Sequence, residues 1–333
     1  LFLFGFIHAY VLLWPGEILY FYGMMGLFLF PLRNLSMARL FALGTALLLV
    51  GAAIGVVENR KVLSQYPLAM AAERALKAGE TPTEEQASAK EFWDDTKREM
   101  QPDAEAREAF VAGVRGGYVS AMFTKAQITH FMHTTFHYRY SYFDLLGVML
   151  LGMACFKAGV LQARLSVRAY GLMVVFGYGI GLTVNLYETL TYLRSGYSMV
   201  VYYQVAQTYD LGRVAMTVGH IGLVMLMCRG GWLRGLQRAL AAVGRMALTN
   251  YISQTLITTT IFVLFAQFGR WERHQLYFLV FAIWAFQLVV SPIWLRHFYF
   301  GPMEWLWRSL TYLRRQPFRR GDVPAGRPAV ALG

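Results

Sequence analysis

The stretch DLGRVAMTVGHIGLVMLM, residues 210–227, combines four polar side chains with enough apolar residues to cross a membrane. At 100° per residue these four side chains fall within about 80° of one helix face. They are Asp210, Arg213, Thr217 and His220. Ionisable groups inside a membrane are costly and commonly mark a functional cavity. We therefore predict that this polar stripe lines such a cavity, with a packing network between helices as the alternative.

The chemistry expected of the stripe follows from residue type and spacing. Asp210 and Arg213 are three residues apart, a spacing that allows an ion pair on one helix. His220 lies near the middle of the apolar stretch and can donate or accept a proton. These properties suit either an enzyme cavity or a proton-coupled transport path.

A histidine and a carboxylate flank the first turn of the chain. His8 precedes Pro15-Gly16 and Glu17 follows it. Such a pair near one mouth of a helix bundle could act as a general base and its orienting partner. A packed histidine and a carboxylate that only stabilises a helix N-terminus are the alternative, and the spacing alone favours that alternative.

Two further stretches add polar groups to apolar segments. One carries Asn185 and Glu188 after Gly177 and Gly181, and the glycine spacing predicts close helix packing. We expect Glu188 to approach Asp210 or Arg213. The other stretch, GRMALTNYISQ, carries Asn250 and Gln254, which either bridge helices or line the cavity, beside Arg245, whose side chain we expect to reach the headgroups.

Three histidines share a helix face at i, i+3 and i+7: His130, His133 and His137. Three imidazoles can hold zinc. No carboxylate or cysteine stands at a ligand spacing beside them, and an interfacial helix rich in aromatic residues explains them without a metal. We predict no metal site. The cysteines, Cys155 and Cys228, both fall in predicted spans and form no disulfide framework.

Composition indicates the elements that must position these groups. The 333 residues are 56% hydrophobic and 15% charged, well below the charged share of a soluble domain. Apolar blocks of about 17 to 25 residues recur, the length that a bilayer core requires. We predict an all-α, polytopic transmembrane helix bundle. The eight predicted spans are 1–14, 17–32, 40–57, 142–161, 170–190, 209–227, 241–268 and 276–294.

The predicted organisation has five parts. Residues 1–57 hold the first three spans, and we expect the first to be truncated because the chain begins LFLFGFIHAY without Met. Residues 58–117 form a polar helical insert outside the cell, with TPTE at Thr81 as a capping box. Residues 118–140 form an interfacial or re-entrant helix. Residues 141–295 hold five spans. Residues 296–333 hold a cytoplasmic amphipathic helix, with an apolar stripe through Met303, Leu306, Trp307, Leu310 and Leu313, and a basic tail.

The net charge of +12 is carried mainly by short links on one side of the predicted spans and by the tail. That asymmetry places the C-terminus in the cytoplasm. It also favours membrane lipids over nucleic acid as the partner of the basic residues. The oligomeric state stays open.

Three stretches carry a family resemblance: GRMALTNYISQ, FGPMEWLWRSLTY and PGEILYFYGMMG. With LLGMACFKAGVL and WERHQLYFLVFAIWAFQLVVSPIWLRHF, they resemble the YeiB-like family of bacterial multi-pass membrane proteins, a domain of unknown function. The resemblance implies a bacterial plasma-membrane (inner-membrane) protein, and it implies that N-terminal spans usual in the family are missing here. The family usually has Asp where this chain has Glu17. No catalytic residues are established for the family, so the resemblance assigns none to this chain.

A more distant similarity is to membrane acyltransferases of the heparan-α-glucosaminide N-acetyltransferase type, which have a histidine near the outer end of an early span. This similarity favours acyl transfer to an envelope or lipid acceptor at the outer face. His8 would be base or acyl carrier, Glu17 its orienting group, and an acyl-CoA the candidate donor. The alternatives are a transporter or proton-coupled exporter using Asp210 and His220, and a signalling scaffold that acts through the insert.

Overall fold

The computed structural model describes residues 1–320 and, over those residues, confirms the all-α class. An isolated antiparallel bridge joins Phe298 and Arg319. The α-helices are α1 Phe2–Phe6, α2 Leu19–Leu32, α3 Met37–Lys77, α4 Glu84–Met100, α5 Ala104–Arg115, α6 Tyr118–Phe131, α7 Tyr142–Lys157, α8 Val167–Arg194, α9 Met199–Val205, α10 Tyr209–Gly230, α11 Arg234–Arg245, α12 Ala247–Thr259, α13 Arg273–His297 and α14 Pro302–Thr311. Three π-helical segments are Ile7–Val11, Met132–Ser141 and Thr260–Leu264.

Four of the described helical stretches are long and apolar enough to cross a membrane: Met37–Lys77, Val167–Arg194, Met199–Gly230 and Arg273–His297. They contain predicted spans three, five, six and eight. Predicted spans one and two correspond to shorter apolar helices, Phe2–Val11 and Leu19–Leu32. The helices therefore fit a membrane protein, and the count of eight spans stays a prediction.

The single helix predicted over residues 241–268 was wrong. The chain forms α11 and α12, with a break at Met246. Glu304 of α14 accounts for the break, because its carboxylate accepts the Thr249 N–H at 3.0 Å and the Thr249 hydroxyl. A buried carboxylate there accepts one of the otherwise unpaired N–H groups at the N-terminus of α12, and its charge complements the helix dipole.

The helix predicted over residues 118–140 also continues further than expected. α6 passes through the π-helical segment Met132–Ser141 into α7, so the path is helical from Tyr118 to Lys157. The wider π-turns keep backbone hydrogen bonding intact, so no loop separates the two α-helices. Whether this segment lies at an interface stays a prediction.

The insert is helical, as expected, but its first cap differs from the predicted one. α3 runs without a break from its apolar half into the insert and ends at Lys77. α4 begins at Glu84 with Thr83 as the cap and Gln86 completing the capping box, two residues after the predicted cap at Thr81. α5 ends before Gly117, whose φ of 92° favours glycine.

In α14 the predicted apolar stripe is only partly packed. Met303 and Trp307 pack against buried Leu19, Leu248 and Ile252. Leu313 lies beyond the helix end and is exposed. Residues 321–333 of the predicted basic tail lie outside the described residues.

The chain divides into two compact units. The first comprises Leu1–Gly23, Ala109–Met132 and Leu233–Gly333, and the second comprises Met24–Glu108 and His133–Trp232. In the second unit α8 and α10 pack through glycines, as predicted. A Cβ on Gly177 would lie 2.6 Å from the Gly219 Cα, so the two backbones approach at a distance that only glycine permits.

The first unit packs the N-terminal turn against later helices. Leu13, Val114, Ala121 and Val263 form one buried cluster, which joins the N-terminal segment to α5, α6 and the π-helical segment after α12. The Leu12 carbonyl accepts the Thr259 hydroxyl at 2.9 Å. These contacts fix the segment that carries His8.

Candidate functional site

His8 lies in the π-helical segment Ile7–Val11 and is fully buried, with 0% exposure. Its Nε2 lies 2.7 Å from Oγ1 of Thr255, which follows it by 247 residues. Its ring meets the Tyr251 ring edge-on, with 4.7 Å between the centroids. Two residues one helical turn apart on α12 therefore hold the imidazole from one side.

Glu17 lies on the turn before α2 and is also fully buried. Its carboxylate accepts the backbone N–H of Leu19, and that of Tyr20 at 3.0 Å. These are otherwise unpaired donors at the N-terminus of α2, where the helix dipole stabilises a negative charge. The two hydrogen bonds thus fix the orientation of the carboxylate at the start of α2.

The turn brings the two predicted residues together: Glu17 Oε1 lies 3.9 Å from His8 Nδ1. The Nδ1 atom has no hydrogen-bond partner within the described protein atoms. Because a proton on Nδ1 faces the carboxylate, we assign the Nδ1–H tautomer, which leaves Nε2 to accept the Thr255 hydroxyl proton. The order carboxylate, imidazole, hydroxyl is that of an activated nucleophile.

Gly5 makes this approach sterically possible. A Cβ there would lie 2.6 Å from the Tyr20 Cα and 2.7 Å from Oε2 of Glu17. The Tyr20 atoms belong to the backbone and cannot give way, and the Glu17 carboxylate is held by two backbone N–H groups. Glycine at this position therefore lets α1 and the start of α2 touch while the carboxylate lies between them.

A pocket of about 210 Å³ opens beside the buried dyad. Its lining is largely apolar and aromatic: Trp14, Tyr251, Gln254, Thr255, Thr258, Val280, Ile283 and Trp284. An apolar cavity of about 150 Å³ can hold one benzene, so this pocket admits a small apolar group. Thr255 both lines this pocket and contacts His8.

Sequence reasoning missed Thr255 and Tyr251. They lie on one face of α12 at a four-residue spacing, but threonine and tyrosine are ordinary on an apolar helix. The pairing of Thr255 with His8 spans most of the chain. No local pattern signals that contact.

Asn250 and Gln254 bond α12 to α13 within the first unit. The Asn250 amide donates to Oγ of Ser291 at 3.2 Å, and the Gln254 amide donates to Oε1 of Gln287 at 3.1 Å. Gln287 in turn donates to the Asn250 carbonyl at 3.0 Å. Asn250 therefore serves packing, whereas Gln254 combines the bridge with a place in the pocket lining. The exposed Arg245 donates to the Tyr299 carbonyl at 3.3 Å.

The polar stripe of α10 lies in the second unit and divides into two halves. Arg213 donates to both oxygens of Asp144 on α7, one at 3.0 Å, and to Asp210 at 2.6 Å. The predicted pairing of Asp210 with Arg213 is therefore formed. Asp144 was missed because it lies 69 residues away, on another helix.

The other half of the stripe does not line a buried cavity, contrary to the prediction. Thr217 and His220 are exposed. The Thr217 hydroxyl donates to the Arg213 carbonyl at 2.9 Å, and His220 Nδ1 lies 2.7 Å from the Met216 carbonyl. Both side chains thus form hydrogen bonds within α10, so neither needs a polar partner on another helix.

The contacts of Asn185 and Glu188 on α8 also differ from the expected ones. Glu188 accepts the Thr208 hydroxyl at 2.6 Å rather than pairing with Arg213. The Asn185 side chain packs over Gly212 of α10. Both groups therefore serve the contact between α8 and the segment that leads into α10.

The three histidines at the end of α6 and in the following π-helical segment differ in burial. His133 and His137 are buried, with 6.2 Å between ring centroids, whereas His130 is exposed. Among the described residues, no group of three or more His, Cys, Asp or Glu side chains could hold a metal ion.

With this geometry in view, comparisons with known proteins place the chain in a family. The family model "Protein of unknown function (DUF418)" matches residues 155–314. The "Uncharacterized protein YeiB" of Escherichia coli strain K12 is 31% identical over 316 residues, which cover 93% of this chain and 73% of YeiB. The chain belongs to the DUF418 family. Its resemblance to YeiB is thereby confirmed.

Two Bacillus proteins give shorter matches. The "Uncharacterized 39.9 kDa protein in amylase 3'region" of Bacillus acidopullulyticus is 42% identical over 98 residues, 29% of this chain and 28% of that protein. The "Uncharacterized protein YxaH" of Bacillus subtilis strain 168 is 41% identical over 90 residues, 26% of this chain and 22% of YxaH. No solved structure matches. Membership of the DUF418 family names no reaction, so the site geometry must support any proposal.

Proposed function

We propose that this DUF418 protein is an integral-membrane acyltransferase whose reaction takes place at His8. The observation that supports this proposal is a fully buried histidine between a buried carboxylate and a hydroxyl, beside an apolar pocket. Base, orienting group and hydroxyl are the parts that acyl transfer needs. Two backbone N–H groups hold the carboxylate in place, which fixes its position beside the imidazole.

In this reaction His8 removes the proton from a hydroxyl as that hydroxyl attacks the acyl carbonyl carbon. The carbon–sulfur bond of the thioester donor breaks, and the departing thiolate takes the proton from His8. Glu17 keeps the proton of the neutral imidazole on Nδ1 and stabilises the imidazolium that forms. The pocket holds the apolar part of the acyl group. An acyl-CoA would supply that group from the cytoplasm, and the acceptor would be an envelope or lipid hydroxyl at the outer face of the bacterial plasma membrane.

Profiling the products of living cells would test the proposal. A deletion strain would carry the wild-type gene, His8→Ala, or His274→Ala, and its lipids and envelope glycans would be profiled without preselection. His274 is the matched control because it is an exposed histidine paired with Glu272 at the start of α13. We expect acylated products with the wild type and His274→Ala, and their absence with His8→Ala.

Membranes from the same strains would give the direct assay. They would be supplied with radiolabelled acetyl-CoA, and label in the lipid and glycan fractions would be counted. Undiminished transfer by His8→Ala membranes would refute the proposed function. Transfer that fell equally in His8→Ala and His274→Ala would also refute it, because the loss would not depend on the dyad.

The alternative is a transporter or proton-coupled exporter that uses Asp210 and His220. The contacts of these residues support it less, since Asp210 is paired with Arg213 and His220 bonds to its own helix. Proton-coupled uptake by inverted vesicles that is lost in Asp210→Asn, with acyl transfer absent from the wild type, would favour this alternative.

A further inference from the structure

We propose that Thr255 is the nucleophile of this site and carries the acyl group as an ester between donor and acceptor. The inference rests on the proposed function and deepens it. It assigns a covalent step to a side chain that local sequence patterns do not point to.

Access to the pocket distinguishes the two side chains. His8 has 0% exposure and is not part of the pocket lining, whereas Thr255 is part of it and has 4% exposure. Thr255 is therefore the residue that connects the imidazole, through Oγ1, with the pocket. A carbonyl carbon held there would meet this oxygen first, and His8 could not accept the acyl group unless Thr255 moved aside.

The direction of the hydrogen bond at Thr255 also fits a nucleophile. Thr255 Oγ1 lies 2.7 Å from Nε2 of His8, within the range for a nucleophile and its base. Since Glu17 favours the proton on Nδ1, Nε2 accepts the hydroxyl proton. The 3.9 Å between Nδ1 and Oε1 of Glu17 is longer than a hydrogen bond but within ion-pair distance of an imidazolium.

Other threonine hydroxyls of this helical region bond differently from that of Thr255. Thr258 donates to the Gln254 carbonyl at 3.0 Å, and Thr260 donates to the Leu256 carbonyl at 2.7 Å. Such bonds to the preceding turn are the usual state of a threonine in an apolar helix. Thr255 instead lies against a basic nitrogen, which is what activates a weak hydroxyl nucleophile.

The step balances with a thioester donor. The Thr255 oxygen attacks the acyl carbon as its proton passes to Nε2 of His8. The carbon–sulfur bond breaks, and the departing thiolate takes that proton. In the second half, His8 takes the proton of the acceptor hydroxyl, the acceptor oxygen attacks the ester, and the Thr255 oxygen leaves with the proton from His8.

The experiment uses the full chain, purified in detergent, with radiolabelled acetyl-CoA and no acceptor. We expect label on the protein, mapped by peptide mass spectrometry to Thr255, and a burst of about one equivalent of free thiol. Thr255→Val, which keeps the shape and removes the hydroxyl, should lose both label and burst. Thr260→Val, the matched control outside the pocket, should keep both.

Two further variants distinguish the loss of the nucleophile from misfolding of the Thr255→Val protein. Thr255→Ser should keep transfer within about tenfold of the wild type, whereas Thr255→Val should fall at least about 100-fold. Thr255→Cys should take the acetyl group as a thioester that neutral hydroxylamine removes. Label recovered on the cysteine would confirm the position even if turnover were slow.

Failure of the inference differs from failure of the proposed function. If wild type transfers acetyl groups and His8→Ala does not, but Thr255→Val retains transfer or label appears on His8, the inference is overturned and the function stands. Wild-type transfer with neither protein label nor thiol burst overturns it in the same way. Undiminished transfer by His8→Ala overturns both.

Discussion

Two clusters of ionisable side chains, one in each compact unit, differ in their pairing and in their exposure. In the second unit, Arg213 binds both oxygens of Asp144 and also Asp210, and these side chains keep 28%, 32% and 41% exposure. In the first unit, His8 and Glu17 have 0% exposure, and the imidazole Nδ1 has no hydrogen bond among the described atoms.

Under the proposed function, the difference separates a structural cluster from a reactive one. The terminal nitrogens of the Arg213 guanidinium bind two carboxylates, and these bonds join α7 to α10, although its Nε has no hydrogen bond among the described atoms. The His8 imidazole contacts a hydroxyl on one side and lies near a carboxylate on the other, which is the arrangement of a base and its orienting group. The order of the partners, rather than burial or incomplete pairing alone, therefore distinguishes the two clusters.

The largest expected effect is on the reactive cluster. Glu17→Gln keeps the side-chain shape and an acceptor for the α2 N-terminus, but removes the charge that holds the His8 proton on Nδ1. We expect acetyl transfer to fall between about 100-fold and about 10⁴-fold. Radiolabel transfer by membranes measures this, with the exposed Glu272→Gln as control. A loss of transfer below tenfold would contradict the assignment of an orienting role to Glu17.

The structural cluster should respond in stability instead. Arg213→Met leaves Asp144 and Asp210 side by side without a cation. After allowance for their partial exposure, we expect the free energy of unfolding in detergent to drop by about 1–3 kcal/mol. Arg168→Met, at an exposed arginine on the same unit, should change it little. If both variants behave alike, the cluster does not hold α7 to α10.

Gly5→Ala tests whether the reactive pair depends on a close backbone approach. The added methyl meets the Tyr20 backbone and the Glu17 carboxylate. We expect a loss of about 1–3 kcal/mol in unfolding free energy, with lower transfer by the folded protein. Gly26→Ala on α2, where a Cβ meets nothing within 4 Å, is the control. Equal behaviour of the two alanines would show that the approach is not tight.

The smallest effect is expected for Asp210→Asn. Asp144 keeps both of its bonds to Arg213, and Asp210 is the most exposed of the three. The unfolding free energy should therefore change by less than about 1 kcal/mol. A drop as large as that of Arg213→Met would mean that Asp210, rather than Asp144, is the main partner. Thermal unfolding of both variants in one detergent would decide this.

Sequence periodicity predicted what depends on neighbours along one helix. The Asp210–Arg213 pairing and the close packing at Gly177 follow from spacings of three and four residues, and the all-α class follows from the recurring apolar blocks. The turn at Pro15-Gly16 also allowed His8 and Glu17 to be considered together. Each of these features is local or needs only one short turn.

Contacts between distant segments could not be predicted in this way. Thr255 meets His8 across 247 residues, and Asp144 meets Arg213 across 69. The break at Met246 depends on Glu304, which the amphipathic pattern of α14 had not singled out. His220 lies on the same face of α10 as Arg213. Helical periodicity does not show, however, how far along that face a neighbouring helix extends.

α3 has a mechanical consequence. Its 41 residues form one helix about 62 Å long, roughly twice the thickness of a bilayer core, and Pro67 does not end it. Its apolar half therefore continues into the insert without a loop. If α3 moves as one rod, a tilt of about 10° in the apolar half moves Lys77 by about 10 Å. A spectroscopic label at Lys77 would report such a movement.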